Sequence, residues 1–323
     1  MEKAALAKRT PTLKRHRGIS GVLHELFVEH WVLTLMALPA ILYVFLFSYV
    51  PMFGIILAFK NYTYTKGIFG SEWVGLANFR YLFVSGSIMR VTVNTVLYNI
   101  AFMVVGTVLQ ITAALFFSEI LGKYFKKITQ TMMLLPFFIS WVVAGSIVFN
   151  LFSNRYGLIN NLLTSMGLAK MDFMNTPSIW PFIIIVFQAW KSIGYGSIVY
   201  LANISGIDHE MYEAAEIDGA TIFQRIRKIT LPLLKPTVVI LILLNLGNIV
   251  RGDFGMFYNL TGNNALLYKV TDVVDTFVYR SLMNLQNYGM STAAGLYQSI
   301  LGFILILLVN FLIKKIQPDY SLF

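Results

Sequence analysis

The sequence contains little charge and no cysteine. Of its 323 residues, 12% are charged, 57% are apolar and 15% are aromatic, and the mean hydropathy is +0.69. Soluble globular domains carry about 25% charged residues, so this chain has about half of the charge that a water-exposed surface needs. The absence of cysteine excludes disulfides, thiol nucleophiles and thiolate metal sites.

The sequence also lacks the motifs of nucleotide-binding proteins and of enzymes. The sequence has no Gly-x-x-x-x-Gly-Lys-Ser/Thr phosphate loop, so we do not expect the chain to bind ATP by that route. It also lacks the paired carboxylates, metal cluster or serine–histidine arrangement of an enzyme site. We therefore expect no catalytic residue, no metal, no cofactor bound by this chain and no nucleic-acid partner.

Long uncharged segments indicate helices that span a lipid bilayer. Residues 30–59, 91–118, 128–154 and 281–313 contain no charged side chain, and 173–207 is interrupted only by Lys191. One further segment, 236–250, which is the fifth in chain order, becomes a full span if it continues past Arg251 to about Tyr258. Each is long enough for the roughly 20 residues that cross a membrane. The sequence thus predicts an all-α, polytopic membrane protein with six transmembrane helices.

The positions of the basic residues predict the orientation of these spans. The segments on the side of the termini hold fifteen Lys and Arg residues, whereas the opposite loops hold nine. Cytoplasmic loops carry the basic excess, so both termini are expected in the cytoplasm. We therefore predict a basic cytoplasmic segment at 1–30 and a transmembrane domain at 31–323 with an outer loop at 251–290.

One cytoplasmic loop, residues 205–236, has a distinctive pattern. Asp208 is a suitable N-cap for a helix over His209–Ile217, and Asp218-Gly219 supplies a left-handed stop. A second short helix is expected from Thr221 to Lys228, ended by Leu231-Pro232. The simplest interpretation is an amphipathic connector on the membrane surface.

The spacing in this loop is more specific than that. The loop contains the pattern Glu213-Ala214-Ala215, then three residues, Gly219, nine further residues and Ile229-x-Leu231-Pro232. With this pattern it resembles the EAA loop of permease subunits of bacterial ATP-binding-cassette importers, which have a MetI-like fold. Other stretches resemble the subfamily that imports oligosaccharides and polysaccharide fragments, including alginate-type systems. These stretches are Trp190-Lys191-x-Ile-Gly194, Tyr200-Leu-Ala202, Ile207-Asp208, Asp275-Thr-Phe-Val-Tyr-Arg280 and Gly295-Leu-Tyr-Gln-Ser299.

The resemblance implies a non-catalytic subunit of the bacterial inner membrane. In this family two permeases pair, two ATPase subunits carry ATP and Mg²⁺ beneath them, and an extracytoplasmic solute-binding protein delivers the sugar. The EAA loop is the coupling helix that docks on an ATPase. Carried over to this sequence, the coupling residues are Glu213, Ala214, Ala215, Asp218, Gly219, Ile229, Leu231 and Pro232.

Polar residues inside the spans are candidates for the substrate pathway, because such residues are costly in a bilayer. Amides pair with sugar hydroxyls and aromatic rings stack on sugar faces. We predict that the fourth and fifth spans carry the pathway through Gln188, Trp190, Lys191, Tyr195, Asn245, Asn248, Arg251 and Asp253. For the amides of the second, third and sixth spans, hydrogen bonding between helices is the better expectation.

Lys191 lies near mid-span, and no acidic residue lies near the middle of any predicted span, since Asp253 is close to the outer end of the fifth. It must therefore face a wet cavity, a cluster of carbonyl groups, an acid of a partner subunit or an anionic substrate such as a uronate. An ion-coupled secondary transporter is the main alternative function. Such proteins usually need ionisable or broken-helix sites at the midplane, and no Asp or Glu is found there.

Overall fold

The computed structural model describes residues 30–316, so the predicted basic segment 1–30 lies outside the described residues except for His30. The described chain divides into two compact units at the boundary between Ile56 and Leu57, and each is described by itself. Helices dominate both units, which confirms the all-α prediction. The described strands are β1 (Lys60–Asn61) and β2 (Glu72–Trp73), which pair antiparallel with Lys60 opposite Trp73.

The first unit is an apolar helix whose winding changes along its length. Helix α1 (Trp31–Val44) continues as a π-helical turn, Phe45–Tyr49, and then as a 3₁₀ segment, Val50–Phe59, which enters the second unit. The N–H of Val50 bonds to the carbonyl of Phe45, and the next residue, Pro51, has no N–H to donate. The change of winding therefore coincides with the proline. No residue of α1 is buried, as expected for a helix whose surroundings are lipid or another protein.

The helices of the second unit alternate between long spans and short connecting elements. In chain order they are α2 (Gly67–Gly70), α3 (Ala77–Val84), α4 (Ser87–Glu119), α5 (Lys123–Phe138), α6 (Trp141–Phe152), α7 (Leu158–Ser165), α8 (Trp180–Ile204), α9 (His209–Ile217), α10 (Ile222–Leu246), α11 (Phe254–Thr261), α12 (Tyr268–Thr271), α13 (Val274–Met283) and α14 (Tyr288–Ile316). Short 3₁₀ turns cover Phe173–Asn175, Pro177–Ile179 and Ala265–Leu267.

The predicted spans are found as five long apolar helices and one bent pair among residues 30–316. Four of the predictions agree with continuous helices at Trp31–Phe59, Ser87–Glu119, Pro177–Ile204 and Tyr288–Lys315. The third predicted span is bent in the structure, and the fifth has different bounds.

The third predicted span, 128–154, is not straight. It consists of α5 and α6, which meet at an angle of 97°. Ser140 lies at the bend and caps α6, because its Oγ accepts a hydrogen bond from the N–H of Val143. An N-cap residue starts a new helix direction, and this serine was not distinguished from its apolar neighbours in the sequence.

The fifth predicted span was wrong at both ends. We expected it at 236–258 with a break at Leu231-Pro232, yet α10 runs without interruption from Ile222 to Leu246. A π-helical turn, Ile226–Thr230, precedes the proline, and the N–H of Leu231 bonds to the carbonyl of Ile226. Pro232 removes a hydrogen-bond donor and crowds the preceding turn, which this wider turn accommodates. The chain leaves the helix after Leu246, so it does not continue past Arg251 to Tyr258.

Helix α8 is the central element of the second unit and packs extensively on α4 and α5. Gly194 permits the contact with α5, since a Cβ at this position would overlap the backbone of Met133 and Leu134. At the end of the bundle that carries α9, a core of small and aromatic side chains joins α4, α8 and α10. At the opposite end, Trp180 lies in a second core with α6 and α11. This packing fixes which polar side chains face each other between the helices.

Candidate functional site

The loop at 205–236 folds as a helix, a tight turn and the start of α10. Asp208 caps α9 by accepting a hydrogen bond from the N–H of Glu210 at 3.0 Å, and α9 has the predicted bounds. Gly219 has φ +75°, a left-handed conformation that glycine adopts at little cost. Thr221 and Gln224 then form a capping box that starts α10.

Two side-chain contacts that the sequence did not reveal hold α9 against the start of α10. The hydroxyls of Tyr212 and Thr230 are 3.0 Å apart, and Glu216 forms an ion pair with Arg225. Tyr212 and Thr230 are eighteen positions apart and Glu216 and Arg225 are nine, so neither contact follows from helical spacing. The loop is therefore a braced unit in which α9 and α10 keep a fixed relation.

The predicted coupling residues of this unit are accessible. Glu213, Ala214, Asp218, Gly219, Leu231 and Pro232 are exposed, whereas Ala215 and Ile229 are half-buried. Large apolar side chains are exposed beside them, with 88% of Ile217 and 71% of Phe223 accessible. An apolar and acidic surface of this kind at the end of a membrane bundle is suited to a protein partner.

A cavity of about 240 Å³ lies between α4, α8 and α10. Its polar lining comes from amides and one hydroxyl, namely Asn99, Gln110, Gln188, Ser192, Asn245 and Asn248. Three of these, Gln188, Asn245 and Asn248, were predicted from the sequence. No described residue is seen to form a hydrogen bond with the side-chain amides of these three. Unpaired amides inside a membrane protein need water or a polar ligand as partners.

The second span contributes more to this cavity than we expected. Asn99 and Gln110 are eleven residues apart, or about three helical turns, so they lie on one face of α4. That spacing was the signal that could have identified them. The amide of Asn99 also donates to the carbonyls of Ile249 and Arg251, both at 3.0 Å, and so holds the segment after α10. Asn94, by contrast, pairs with the carbonyls of Lys269 and Asp272, as expected for helix packing.

Lys191 and Tyr195 lie on another face of α8, toward α5. The Nζ of Lys191 donates to the carbonyl oxygens of Phe137 at 2.6 Å, Pro136 at 3.4 Å and Ile139. The rings of Tyr195 and Phe137 are stacked at 4.7 Å. Of the four surroundings considered for Lys191, the structure shows the cluster of carbonyl groups.

The other predicted pathway residues have structural contacts. Trp190 packs edge-on against Phe187 in the core. Asp253 caps α11 through the N–H of Met256 at 3.0 Å and accepts a hydrogen bond from Nε1 of Trp141 at 2.7 Å. Arg251 is exposed at the end of the cavity lining formed by Asn248 and Ile249.

The predicted outer loop, 251–290, is packed rather than extended over the surface. Asp272 is fully buried and forms two hydrogen bonds with Arg280, at 2.9 and 2.5 Å. Burial alone would lower the pKa of Arg280, but the contact with Asp272 outweighs it and the pKa is raised. Asp275 accepts hydrogen bonds from the N–H of Gly252 at 2.6 Å and from Gln298 at 2.9 Å. Both acids therefore stabilise the loop.

Burial raises the pKa of Asp275 above its ordinary value, although the two hydrogen bonds and Arg251 act against that shift. The carboxyl group connects the segment after α10 to α14, because Gln298 also donates to the carbonyl of Val250 at 2.8 Å. Within residues 30–316, no group of three His, Asp or Glu side chains is arranged to hold a metal ion.

Comparison with known proteins provides a family for this geometry. Residues 106–318 match the family described as "Binding-protein-dependent transport system inner membrane component". The chain is 33% identical to the protein LplB of Bacillus subtilis (strain 168) over 99% of both chains. It is 36% identical to the polygalacturonan/rhamnogalacturonan transport system permease protein YteP of the same organism, over 90% of both chains.

A solved structure has the same fold. It is similar to this chain with a TM-score of 0.80 and 33% identity, covering 91% of this chain and 98% of the other. That structure is a bacterial alginate ABC transporter in complex with an alginate pentasaccharide-bound periplasmic protein. The likeness therefore extends over nearly the whole chain.

Proposed function

This chain belongs to the family of inner-membrane components of binding-protein-dependent transport systems, and on that basis we propose that it imports an acidic oligosaccharide, one that contains uronate units. It is a multi-pass permease of the inner membrane and not itself an enzyme. The observation that supports a sugar cargo is the cavity with its unpaired amides, Gln188, Asn245 and Asn248. Amides at a site of this kind exchange hydrogen bonds with hydroxyl groups.

The acidic character of the cargo is supported by the relatives. The names of two of them refer to polygalacturonan with rhamnogalacturonan and to alginate, which are uronate polymers. Arg251 is the exposed cation beside the cavity lining, whereas Lys191 is occupied by carbonyl groups. We therefore assign attraction of the anionic chain to Arg251 and contact with its hydroxyls to the amides.

The size of the cavity indicates that this chain supplies only part of the pathway. Ligand pockets usually enclose about 300–1,000 Å³, and the cavity here measures about 240 Å³. A second permease subunit would complete the passage, and two ATP-binding subunits with their Mg²⁺ would drive it. A solute-binding protein would deliver the cargo at the end that carries residues 247–287.

The orientation and the coupling follow from the same proposal. The end that carries α9 would face the cytoplasm, with both termini on that side, in agreement with the distribution of basic residues. Glu213 would meet a basic residue of an ATPase subunit, while Ile217 and Phe223 would be covered by it. Paired charges in such a desolvated contact can contribute a few kcal/mol, about 1.5–7 kcal/mol where measured.

The proposal is tested with the assembled importer in proteoliposomes. Solute-binding protein loaded with alginate or polygalacturonate oligosaccharides should stimulate ATP hydrolysis and uptake, and maltooligosaccharides should not. Leucine substitutions at Gln188 and Asn245 should each reduce uptake about 2- to 10-fold, the equivalent of one lost hydrogen bond. Asn150→Leu is the matched control, because Asn150 is exposed and bonds only within its own helix.

Three results would contradict the assignments of the cargo, the energy source and the cavity amides. Equal stimulation by neutral and acidic oligosaccharides would overturn the acidic cargo. Uptake that needs a proton or sodium gradient and no ATP would favour the ion-coupled alternative. Loss of uptake in Asn150→Leu to the same extent as in Asn245→Leu would mean that the cavity amides have no special role.

A further inference from the structure

The ammonium group of Lys191 lies at the bend between α5 and α6. Helix α5 ends at Phe138, so the carbonyls of its last turn lack the donor four residues further on that a longer helix would supply, and only that of Pro136 accepts a backbone hydrogen bond, from the N–H of Ile139 at 3.1 Å. Lys191 donates to two of these carbonyls, on Pro136 and Phe137, and to that of Ile139 just beyond the helix. The three N–H donors of one ammonium thus satisfy a helix end inside the membrane.

The charge is suited to this position. A cation at a helix C-terminus interacts favourably with the helix dipole, most strongly within the last turn. The same ammonium lies 5.7 Å from the ring centre of Phe137 and 5.4 Å from that of Trp141. Because Phe137 belongs to α5 and Trp141 to α6, one group contacts both arms of the bend.

The helix that carries Lys191 is fixed to α5 at neighbouring positions. Gly194 lies in backbone contact with Met133, and Tyr195 stacks on Phe137. These residues follow Lys191 by three and four positions and so share its face of α8. Gln188 and Ser192 of the same helix line the cavity. A change at the bend is therefore carried to the cavity wall by the same helix.

The contact continues beyond the bend. Trp141, the first residue of α6, donates to Asp253, which caps α11 just after the segment held by Asn99. A continuous series of contacts thus leads from Lys191 through Trp141 to Asp253 and the segment that follows α10. Each member is a hydrogen bond or a cation–π contact with a defined geometry.

We propose that Lys191 is a positioning residue, whose ammonium holds the break in the third span and thereby places α6 and the start of α11, rather than a group that binds the cargo. This role goes beyond the proposed function and does not depend on the identity of the cargo. An apolar side chain such as methionine leaves the carbonyls of Phe137 and Ile139 without a donor, whereas arginine retains a cation with several N–H groups.

The test uses Lys191→Met and Lys191→Arg in the full importer, and it takes advantage of the absence of cysteine in this chain. Val142 is exposed in the first turn of α6, and the substitution Val142→Cys reports the position of that helix through its rate of thiol labelling. We expect Lys191→Met to change the labelling rate and to reduce uptake of every cargo about tenfold. Lys191→Arg should keep both close to those of the parent.

A role in cargo binding would have a different outcome. Uptake of uronate oligosaccharides alone would decrease, labelling at position 142 would be unchanged, and Lys191→Arg would also lose selectivity; this result overturns the proposal. If Lys191→Met does not assemble, Lys191→Gln, which keeps two N–H donors, should assemble with altered labelling. Labelling of Lys191→Gln equal to the parent would likewise overturn it. Because labelling needs no cargo, failure of the proposed cargo leaves this test intact.

Discussion

Nε1 of Trp141 donates a hydrogen bond to Oδ2 of Asp253 at 2.7 Å, which joins the bend in the third span to the helix that follows the fifth. The two residues are 112 positions apart in the sequence. The other oxygen of the same carboxylate caps α11 through Met256. One aspartate therefore starts a helix and fixes it to a distant one.

This bond should be detectable as a coupling energy. Trp141→Phe removes the donor, and Asp253→Asn keeps one oxygen for the cap but faces the indole with an N–H group. Each change should lower the melting temperature of the assembled importer by about 3 °C. The double variant should have the same melting temperature as the less stable of the two single variants, because each single substitution already removes the same hydrogen bond. Additive effects would show that the bond contributes nothing.

The contact of α8 with α5 predicts an intolerant glycine. A methyl group at Gly194 would overlap backbone atoms of Met133 and Leu134, which cannot turn aside as a flexible side chain would. Gly194→Ala should cost about 1–3 kcal/mol and reduce the yield of assembled importer in size-exclusion chromatography. Gly295→Ala is the control, since nothing lies within 4 Å of its added Cβ. Equal yields of the two variants would contradict this interpretation.

The turn after α9 predicts a different glycine effect. A Cβ at Gly219 meets no atom within 4 Å, so a substitution there tests backbone conformation alone. At φ +75°, alanine costs about 1–2 kcal/mol, whereas asparagine tolerates this region better. Amide hydrogen exchange in α9 should become about tenfold faster in Gly219→Ala and change less in Gly219→Asn. Identical exchange in Gly219→Ala and the parent would exclude a strained turn.

The raised pKa of Asp275 predicts how stability depends on pH. The folded chain keeps this proton to a higher pH than the unfolded chain does, so the contribution of Asp275 to the free energy of unfolding is greatest below the ordinary value of 3.8 and is lost as the pH rises through the folded-state pKa. Asp275→Asn should remove this decrease, because asparagine does not titrate. Its oxygen can still accept the hydrogen bonds from Gly252 and Gln298, so the loop should keep its fold. Melting temperatures from pH 4 upward measure it, with exposed Asp218→Asn as the control. An unchanged pH profile in Asp275→Asn would refute the prediction.

Local sequence signals predicted the elements that local physics determines. The uncharged segments located the spans, and Asp208 with Gly219 located both ends of α9, because caps and left-handed turns depend on a few adjacent residues. The break in the third span depends instead on Lys191, which is more than fifty residues away from the carbonyls it binds. No window of neighbouring residues contains that information.

The site was predictable in part for the same reason. Gln188, Asn245 and Asn248 line the cavity, and they were selected from the sequence because amides inside spans are unusual. Asn99 and Gln110 line it too and could have been selected from their common helix face. Asp253 and Trp190 have the residue types of a sugar site but serve as a cap and a core side chain. Residue type alone does not separate these uses, because the separation depends on which helix faces meet.

The unbroken helix α10 has a mechanical consequence. Its 25 residues form a rod of about 37 Å, with Phe223 near one end and Asn245 near the other. A π-helical turn holds one residue more than an ordinary turn and so offsets the winding on its two sides by about 100°. If that extra residue moved along the rod, the stretch between its old and new positions would rotate about the axis without any bending. A shift of the π-helical turn would therefore let the fifth span transmit a rotation about its axis as well as a movement along it.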